Sequence, residues 1–301
     1  MKSVGKPNIQ RPSVDACRLG DGFEIHLGDA RRVLKTLPDE KFSLVVTSPP
    51  YWGLRSYGHR DEIGAETTVE EYLSRLVEVF GQVRRTLRQD GVLWLVIGDT
   101  YTSGNRTYRA ADQKSAARAM SNRPATPKGL KEKDLVGLPW RVAFALQADG
   151  WYLRSDVIWA KPNPMPESVR DRPHRSHEYV FMLTKSSNYY FDREAFSHPT
   201  FGEARFGRSV WTVPVGSRRG GHPAAFPIEL VMPCVLSSSG PQDHVLDPFS
   251  GSGSVGLSCL RTSRRFTGIE IVPEFADSAY LVLEELAAQN KVRVVHRTKK
   301  K

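Results

Sequence analysis

Two stretches in which strand and helix signals alternate constrain the fold of this chain more than any other feature. The first covers residues 23–98, where apolar strand segments are separated by a helix with apolar residues at helical spacing. The second covers residues 244–290 and gives a strand, a glycine-rich turn, a helix, a strand and a final helix. Strands that alternate with helices form parallel sheets with crossover helices. The sequence therefore predicts an α/β fold.

The helix within the first stretch has two candidate starts. Either Thr67 with Glu70, or Thr68 with Glu71, supplies the side chains of a capping box, in which each satisfies a backbone N–H at the helix start. Gly91 is the predicted residue just beyond its C-terminus, since glycine adopts the left-handed conformation common there.

Other elements follow from apolar spacing and from turn residues. We predict, in chain order, a strand at 91–99, a helix from Leu138 to Gly150, a strand at 151–161, a hairpin of EYVFMLTK and NYYFD at the sheet edge, a buried helix in FPIELVMPCVL and a short strand in KVRVVHRTKKK.

The charge of the chain narrows the class of partner. Lys and Arg number 43 against 33 Asp and Glu, a formal net charge of +10 that favours an acidic partner such as nucleic acid. No apolar signal-peptide region or membrane-length stretch is present, so we expect a cytoplasmic protein without a membrane partner. Cys17, Cys234 and Cys259 lack the spacing of a zinc site or disulfide framework, so we expect reduced thiols and no metal.

The segment VVTSPPYW at residues 45–52 ends a strand with two prolines. Proline has no N–H to donate to a sheet, so the strand must end at about Ser48. Each proline also biases the residue before it away from helical angles, which leaves backbone carbonyls facing outward beside Tyr51 and Trp52. A rigid edge of acceptors next to an aromatic face suits a planar ligand that carries an NH2 group.

The segment DPFSGSGS at residues 247–254 connects a strand to the N-terminus of a helix. Its glycines let a ligand approach the backbone, and the helix dipole with its free N–H groups favours a carboxylate or phosphate. Glu270 ends the next strand, where a carboxylate can accept hydrogen bonds from ribose hydroxyls. Dinucleotide sites use a similar turn, so the turn alone does not identify the ligand.

Three motifs follow one another along the chain: TSPPY at 47–51, HPAAFP at 222–227 and DPFSGSG at 247–253. In this circularly permuted order they resemble the S-adenosylmethionine-dependent amino-group DNA methyltransferases of the β class, and TSPPY resembles their N4-cytosine type. The resemblance covers about residues 23–290. It implies a class I methyltransferase fold, a Rossmann-like, doubly wound, mostly parallel sheet of seven strands with one antiparallel strand, in which the strands before SPP and DPF are neighbours.

The same resemblance divides the chain. Residues 1–22 are expected to form an N-terminal tail, residues 23–290 the methyltransferase catalytic domain, and residues 291–301 a basic C-terminal tail.

The resemblance implies S-adenosyl-L-methionine as the cofactor. Asp247, Phe249, Gly251 and Gly253 match the loop that holds its methionine end, and Glu270 matches the acid that binds its ribose.

Three further cofactor residues are implied by weaker matches. Asp29 matches the acid that meets the adenine amino group, and His222 and Phe226 match the segment that lines the methionine pocket. Asp29 and Phe226 also have purely structural interpretations, as a helix N-cap and as a core residue.

Ser48, Pro49, Pro50 and Tyr51 match the catalytic motif of the family. An exocyclic amino nitrogen is a poor nucleophile because its lone pair is delocalised into the ring. Acceptors on both amino hydrogens, here the Ser48 hydroxyl and the Pro49 carbonyl, would draw that lone pair toward the donor methyl. Tyr51 would stack on a base flipped out of the duplex. The resemblance thus implies direct methyl transfer without a metal or a covalent enzyme adduct.

Ser48 favours N4 of cytosine as the target, because the adenine enzymes that this chain resembles usually carry Asp or Asn before the two prolines. N6-adenine methylation stays open as the alternative. The intact SPPY motif and a loop rich in basic residues predicted at 103–134 argue against an inactive DNA-binding relative and against a methyltransferase for proteins or small molecules. Cytosine C5 methylation would need a thiolate nucleophile, whereas Cys234 lies in a predicted buried helix.

Basic side chains in three segments are candidates for contacts with double-stranded DNA. One segment is the basic loop at 103–134, and the other two, 161–178 and 197–211, form a candidate target-recognition region at about 161–211. The candidate arginines are Arg106, Arg109, Arg118, Arg170, Arg172 and Arg205. The resemblance also leaves open a cognate restriction endonuclease that acts separately.

Overall fold

The structure, a computed structural model, describes residues 17–59, 61–102, 124–198, 206–216 and 226–298, with residues 291–298 described by their backbone alone. The strands of this part are β1 (Cys17–Gly20), β2 (Phe23–Leu27), β3 (Phe42–Thr47), β4 (Leu87–Ile97), β5 (Tyr152–Ala160), β6 (His177–Thr184), β7 (Val210–Thr212), β8 (His244–Asp247) and β9 (Arg265–Glu270). The helices are α1 (Ala30–Thr36), α2 (Val69–Thr86), α3 (Leu138–Ala148), α4 (Ile228–Ser238), α5 (Ser254–Arg261) and α6 (Pro273–Thr298).

The described strands form one sheet in the order β1-β2-β9-β8-β3-β4-β6-β5-β7. From β2 to β5 this order contains seven strands, of which only β6 runs antiparallel to its neighbours. β1 adds an antiparallel strand at one edge and β7 a parallel strand at the other. The predicted α/β fold is confirmed, with two edge strands beyond the expected seven.

Strand β3 shows how the sheet separates two hydrophobic cores. Val45 packs into the core formed with α1, α2 and α3, while Leu44 and Val46 pack into the core formed with α4, α5 and α6. Successive side chains of a strand point to opposite faces, so a central strand between two helix layers must be apolar at nearly every position. All three side chains are fully buried.

β3 and β8 are hydrogen-bonded neighbours although they lie far apart in the sequence. Leu44 pairs with Val245 and Val45 with Leu246, in parallel. The predicted adjacency of the strands before SPP and DPF is therefore confirmed. Because the strands are parallel, their carboxyl ends meet at the same edge of the sheet.

The start of α2 agrees with one of the two predicted capping boxes, and its end does not agree with the sequence. Thr68 is the N-cap and forms the box with Glu71. The helix already ends at Thr86, because Leu87 is extended and begins β4 beside Phe42 of β3. Gly91 lies inside β4, so its predicted place beyond the helix C-terminus was wrong.

The predicted edge hairpin was also wrong. β6 lies inside the sheet, between β4 and β5. Its run from Val180 to Leu183 is buried on both faces, as a central strand requires. In the segment NYYFD, Tyr190 and Phe191 are exposed and no strand forms before the short 3₁₀ helix Glu194–Ser197.

Both ends of the described chain extend beyond the expected domain. Cys17–Gly20, placed in an N-terminal tail by the sequence, pairs with β2 as an edge strand. The backbone that follows Asn290 continues α6 to Thr298 instead of forming a short strand. No helix in the described ranges is long and apolar enough to cross a membrane.

Candidate active site

The carboxyl ends of β3 and β8 meet in one buried hydrogen-bonded cluster. Thr47 Oγ1 donates a 2.6 Å hydrogen bond to Oδ1 of Asp247, and the backbone N–H of Phe249 donates to the same oxygen at 3.0 Å. Thr47 and Asp247 are almost completely buried. This cross-strand bond joins the SPPY and DPF segments, so the two motifs lie side by side at the carboxyl ends of the parallel strands. Sheets of this kind bind ligands in a cleft at that end, and we call this region the cleft.

Burial controls the ionisation of the acids at this edge. It raises the pKa of Asp247 to about 7, a rise that the hydrogen bond from Thr47 opposes and the nearby charge of Glu270 increases. Burial likewise raises the pKa of Glu270, against hydrogen bonds from backbone N–H groups. Both carboxyl groups are therefore easier to protonate than exposed acids.

Glu270 ties the end of β9 to the glycine-rich turn. Its Oε2 accepts a 2.8 Å hydrogen bond from the N–H of Gly251, and its Oε1 accepts one of 2.9 Å from the N–H of Val272. Each carboxylate oxygen has two acceptor sites, so both can still accept from a ligand hydroxyl. These remaining acceptor sites fit the hydroxyl donors of a ribose.

Gly253 starts α5 in a conformation that requires glycine. Its φ is +80°, and a Cβ there would come within 3.2 Å of the Cβ of Ala279 in α6. The turn can therefore lie close against α6 and bring the α5 N-terminus to the cleft. Phe249, the aromatic residue of the same motif, packs against the core beneath α1, α2 and α3.

Asp29 lies beside this cluster and already has a strong partner. β2 pairs with β9 up to Leu27 and Glu270, which places Asp29 near the ribose-type acid. Its carboxylate caps α1 by accepting from the N–H of Arg31 at 2.9 Å, and both of its oxygens accept from the Arg31 guanidinium. The structural interpretation as an N-cap is confirmed, and the adenine contact stays a prediction.

Phe226 is half-buried and packs against the core formed with α4, α5 and α6. His222 lies outside the described residues.

The SPPY motif connects to β6, a strand that the sequence placed at the sheet edge. Ser48 Oγ donates a 3.4 Å hydrogen bond to the Tyr51 hydroxyl, which in turn donates at 2.8 Å to Oε2 of Glu178. Glu178 pairs through its other oxygen with Lys161. Burial, followed by the charge of Glu178, raises the pKa of Tyr51 well above its ordinary value.

Tyr72 of α2 holds the second proline of the SPPY motif through its hydroxyl. It donates a 3.0 Å hydrogen bond to the Pro50 carbonyl. This bond occupies one of the two acceptor sites of the Pro50 carbonyl, and the Pro49 carbonyl stays the predicted acceptor for a base. Burial raises the pKa of Tyr72 well above its ordinary value, so this donor keeps its proton.

Tyr72, Glu178 and Lys161 were missed because their strands and helix could not be brought together from the sequence. Glu178 lies near the start of a mostly apolar strand, and a charged residue at that position was the available signal. Because β6 is antiparallel, its start lies at the carboxyl ends of the parallel strands, beside Ile97 and Gly98. The hairpin prediction put this strand at the sheet edge and hid that relation.

The loop after the motif folds over the Glu270 end of the cleft. The N–H of Tyr57 donates a 2.6 Å hydrogen bond to Oε2 of the buried Glu62. The Tyr57 ring packs edge-to-face on Phe275 of α6, with 6.3 Å between ring centroids. Burial raises the pKa of Tyr57, and the charge of Glu270 adds to the rise.

The candidate DNA-contacting arginines differ in how they are held. Arg170 is exposed. Arg172 donates a 2.7 Å hydrogen bond to Glu167 and lies 3.7 Å from the centroid of the Tyr101 ring. The other candidates lie outside the described residues: Arg106, Arg109, Arg118 and Arg205.

Cys234 is in the buried helix α4, as predicted. Its thiol donates to the carbonyl of Leu230 one turn earlier, and burial raises its pKa. A buried thiol of raised pKa is a poor nucleophile, which argues against C5 chemistry at this residue.

One trio in the described part of the chain offers three atoms at metal-ligand spacing. Cys17, Glu24 and His26 have these atoms within 4.8 Å of one another on β1 and β2. Glu24 is already held by Lys41 at 2.7 Å and by Thr267 at 2.7 Å.

Comparison with known proteins matches this architecture to a family. The DNA methylase family of N6 and N4 amino-methyltransferases matches residues 42–281, a range that includes the SPPY motif, the glycine-rich turn and Glu270. The chain belongs to the N6/N4 DNA methylase family. The resemblance drawn from the three motifs is thereby confirmed, and the protein is a DNA methyltransferase of the amino-group type.

Relatives within the N6/N4 DNA methylase family extend over most of the chain. The type II methyltransferase M.Cfr9I of Citrobacter freundii is 55% identical over 260 residues, which cover 86% of this chain and 87% of the relative. M.XycI of Xanthomonas campestris pv. cyanopsidis is 54% identical over 287 residues, covering 95% and 94%.

Solved structures of similar proteins share the fold. A protein from Thermus thermophilus in complex with S-adenosyl-L-methionine is 28% identical, with a TM-score of 0.62 over 87% of this chain and 93% of that one. The cytosine-N4-specific PvuII DNA methyltransferase is 20% identical, with a TM-score of 0.66 over 90% and 93%. At 20% sequence identity, the likeness to the PvuII enzyme concerns the fold alone.

Proposed function

We propose that the protein transfers a methyl group from S-adenosyl-L-methionine to N4 of cytosine in duplex DNA. The observation that carries the proposal is the buried Thr47 to Asp247 hydrogen bond, which holds the SPPY motif against the cofactor-type turn. Ser48, in place of the Asp or Asn usual in the adenine enzymes, supports cytosine as the target base.

The residues that would hold the cofactor lie at the glycine-rich turn. Glu270, which already bonds the N–H of Gly251, would accept from the ribose hydroxyls, and Asp247, Phe249, Gly251 and Gly253 would hold the methionine end. Further contacts are assigned to Asp29 at the adenine and to His222 and Phe226 at the methionine pocket. When bound, S-adenosyl-L-methionine supplies a methyl group that is already activated on a sulfonium.

The catalytic motif prepares the amino group for attack. The cytosine is flipped out of the duplex and stacks on Tyr51, because an amino group inside the stack cannot reach an enclosed site. The Ser48 hydroxyl and the Pro49 carbonyl each accept a hydrogen bond from one amino hydrogen and draw the nitrogen lone pair out of the ring. Positioning by these rigid residues supplies most of the rate enhancement.

A transfer assay with base identification tests the proposal. Purified protein is incubated with methyl-labelled S-adenosyl-L-methionine and unmethylated genomic DNA, and the hydrolysed bases are separated by mass. We expect N4-methylcytosine, with label reduced roughly 100-fold or more in Ser48→Ala. Detection of N6-methyladenine would mean that adenine is the target base. DNA without label would overturn the proposed activity itself.

The cellular role follows from the relatives and the charge. The relatives at 54–55% identity are type II methyltransferases, so we extend the proposal to protection of a DNA site from a cognate restriction endonuclease that acts separately. The net charge of +10 suits work on double-stranded DNA in the cytoplasm. Sequencing that reports modified bases, after expression in an unmethylated host, would identify the site.

A further inference from the structure

Four polar groups form a continuous hydrogen-bonded chain at the catalytic motif. Ser48 donates to Tyr51 at 3.4 Å, Tyr51 donates to Glu178 at 2.8 Å, and Glu178 is paired with Lys161. The Glu178 and Lys161 side chains are only 18% and 15% exposed, so they meet in a poorly solvated position. These four groups therefore bond mainly to one another and little to water.

The number of protons in this series of hydrogen bonds fixes which group donates in each bond. An ionised carboxylate only accepts hydrogen bonds, and a phenol has one proton to donate. The Tyr51 proton is committed to Glu178, so the Tyr51 oxygen can act toward Ser48 only as an acceptor. The single Ser48 proton then points to Tyr51, and the Ser48 lone pairs are left to face the cleft.

We propose that Glu178 is a positioning residue that sets this direction and so makes Ser48 a hydrogen-bond acceptor for the target amino group. The inference rests on the proposed function, since it is the cytosine N–H that Ser48 must accept. Glu178 acts through Tyr51 and does not itself contact the base.

Lys161 makes the effect of a conservative change predictable. In Glu178→Gln the amide oxygen turns toward the Lys161 ammonium, because the amide NH2 would be repelled there, and the NH2 group then faces Tyr51. An NH2 group donates to the Tyr51 oxygen, so the Tyr51 proton turns to Ser48. Ser48 in turn presents its proton to the cleft, where it opposes the amino group.

Steady-state kinetics on unmethylated DNA that carries the recognition site test this assignment. We expect Glu178→Gln to lower kcat by roughly 10- to 100-fold while KM for S-adenosyl-L-methionine and for DNA changes little, because the lost interaction belongs to the transition state. Lys161→Met combined with Glu178→Gln should recover several-fold of the loss, since the amide can then present its oxygen to Tyr51. On a Tyr51→Phe background, Glu178→Gln should cause no further loss.

The matched control is Glu78→Gln, which neutralises an exposed carboxylate paired with Lys35 on the surface of α2 and should leave kcat unchanged. Recovery by the double variant separates a directional effect from simple damage, because damage from two substitutions would accumulate.

Binding gives a readout independent of methyl transfer. Uracil presents an oxygen acceptor where cytosine presents its NH2 group, so a donating Ser48 favours uracil. We expect the ratio of affinities for duplexes with uracil and with cytosine at the target position to rise by roughly 5- to 10-fold in Glu178→Gln relative to the wild type.

Each outcome decides between the two proposals. An active wild type whose kcat and base preference are unaffected by Glu178→Gln overturns the inference and leaves the proposed function intact. A double variant that is worse than Glu178→Gln also overturns it. A wild type that methylates no DNA overturns the proposed function and the inference with it.

Discussion

Asp247 carries a carboxyl group that holds a proton more tightly in the folded protein than in the unfolded chain. Burial raises its pKa to about 7, and Glu270 adds to the rise. Between the ordinary aspartate pKa of about 4 and this value, the folded state binds a proton that the unfolded state releases. We predict that the free energy of unfolding falls as pH rises through this window, by on the order of 2–4 kcal/mol from Asp247.

Urea unfolding at several pH values between 4.5 and 7.5 measures this effect. Asp247→Asn keeps an oxygen that can accept from Thr47 and Phe249 but does not titrate. The free energy of unfolding of the wild type minus that of the variant should therefore fall as pH rises. A difference that stays constant or grows over this range would contradict the pKa assignment.

Gly98 leaves space for the ring of Tyr51 at the end of β4. A Cβ at this position would lie 2.8 Å from Cε2 of Tyr51 and 3.3 Å from Cδ of Glu178. We predict that Gly98→Ala displaces the ring, lowers kcat by roughly 10-fold and costs about 1–3 kcal/mol of stability through overpacking. Steady-state kinetics and urea unfolding check the two effects.

Gly81→Ala is the matched control for this substitution. Gly81 lies in α2, where a Cβ would meet only Asp149 Oδ2 at 3.9 Å. Alanine there should leave kcat unchanged and raise stability by about 0.5–1 kcal/mol, because glycine is a poor helix former. Equal activity of Gly98→Ala and wild type would mean that the ring does not need this space.

At the scale of single elements, α2 depends on its capping box. Thr68 Oγ1 accepts from the N–H of Glu71 at 3.2 Å, and the Glu71 carboxylate accepts from the N–H of Thr68 at 3.3 Å. We predict that Thr68→Ala costs about 1 kcal/mol of unfolding free energy, because a backbone donor at the helix start loses its partner. Equilibrium urea unfolding measures the loss.

Thr67→Ala tests the same prediction from the neighbouring position, which was the alternative N-cap in the sequence. Thr67 precedes the cap and should tolerate alanine within about 0.5 kcal/mol, as surface positions do. A larger loss for Thr67→Ala than for Thr68→Ala would mean that Thr67, and not Thr68, is the N-cap.

Elements with strong local signals could be predicted from the sequence, and those set by their neighbours could not. β3, β8 and the start of α2 follow from apolar runs and caps that act within a few residues. The end of α2 at Thr86 depends on the pairing of Leu87 with β3, which no local signal records. Likewise, the central place of β6 depends on which strands it pairs with.

The candidate site shows the same division. Ser48 and Glu270 could be selected because their motifs are local, and the family resemblance supplied the adjacency of β3 and β8. Glu178 could not, because its contact with Tyr51 spans 127 positions and requires β6 to be antiparallel. Side chains that act across distant strands become visible only when the sheet order is known.

The whole molecule combines a net charge of +10 with a candidate active site at the carboxyl ends of the parallel strands. A basic protein that neutralises phosphates releases counterions from DNA, so its affinity falls steeply with salt. Arg106 and Arg109 lie outside the described residues and belong to the basic loop proposed to contact DNA. We predict that Arg106→Ala with Arg109→Ala weakens DNA binding and reduces the slope of log affinity against log salt by roughly 2, because each lost phosphate contact removes about 0.9.

The comparison that isolates this loop uses two arginines at the other end of the parallel strands, where β9 begins. Arg261 ends α5 and Arg265 begins β9, five positions before Glu270, and both are exposed. Arg261→Ala with Arg265→Ala removes the same charge and should leave the slope unchanged, because these residues are far from the cleft. Fluorescence anisotropy of a labelled duplex between about 50 and 300 mM salt measures both slopes. Equal slopes for the two double variants would mean that net charge, and not the loop, governs binding to DNA.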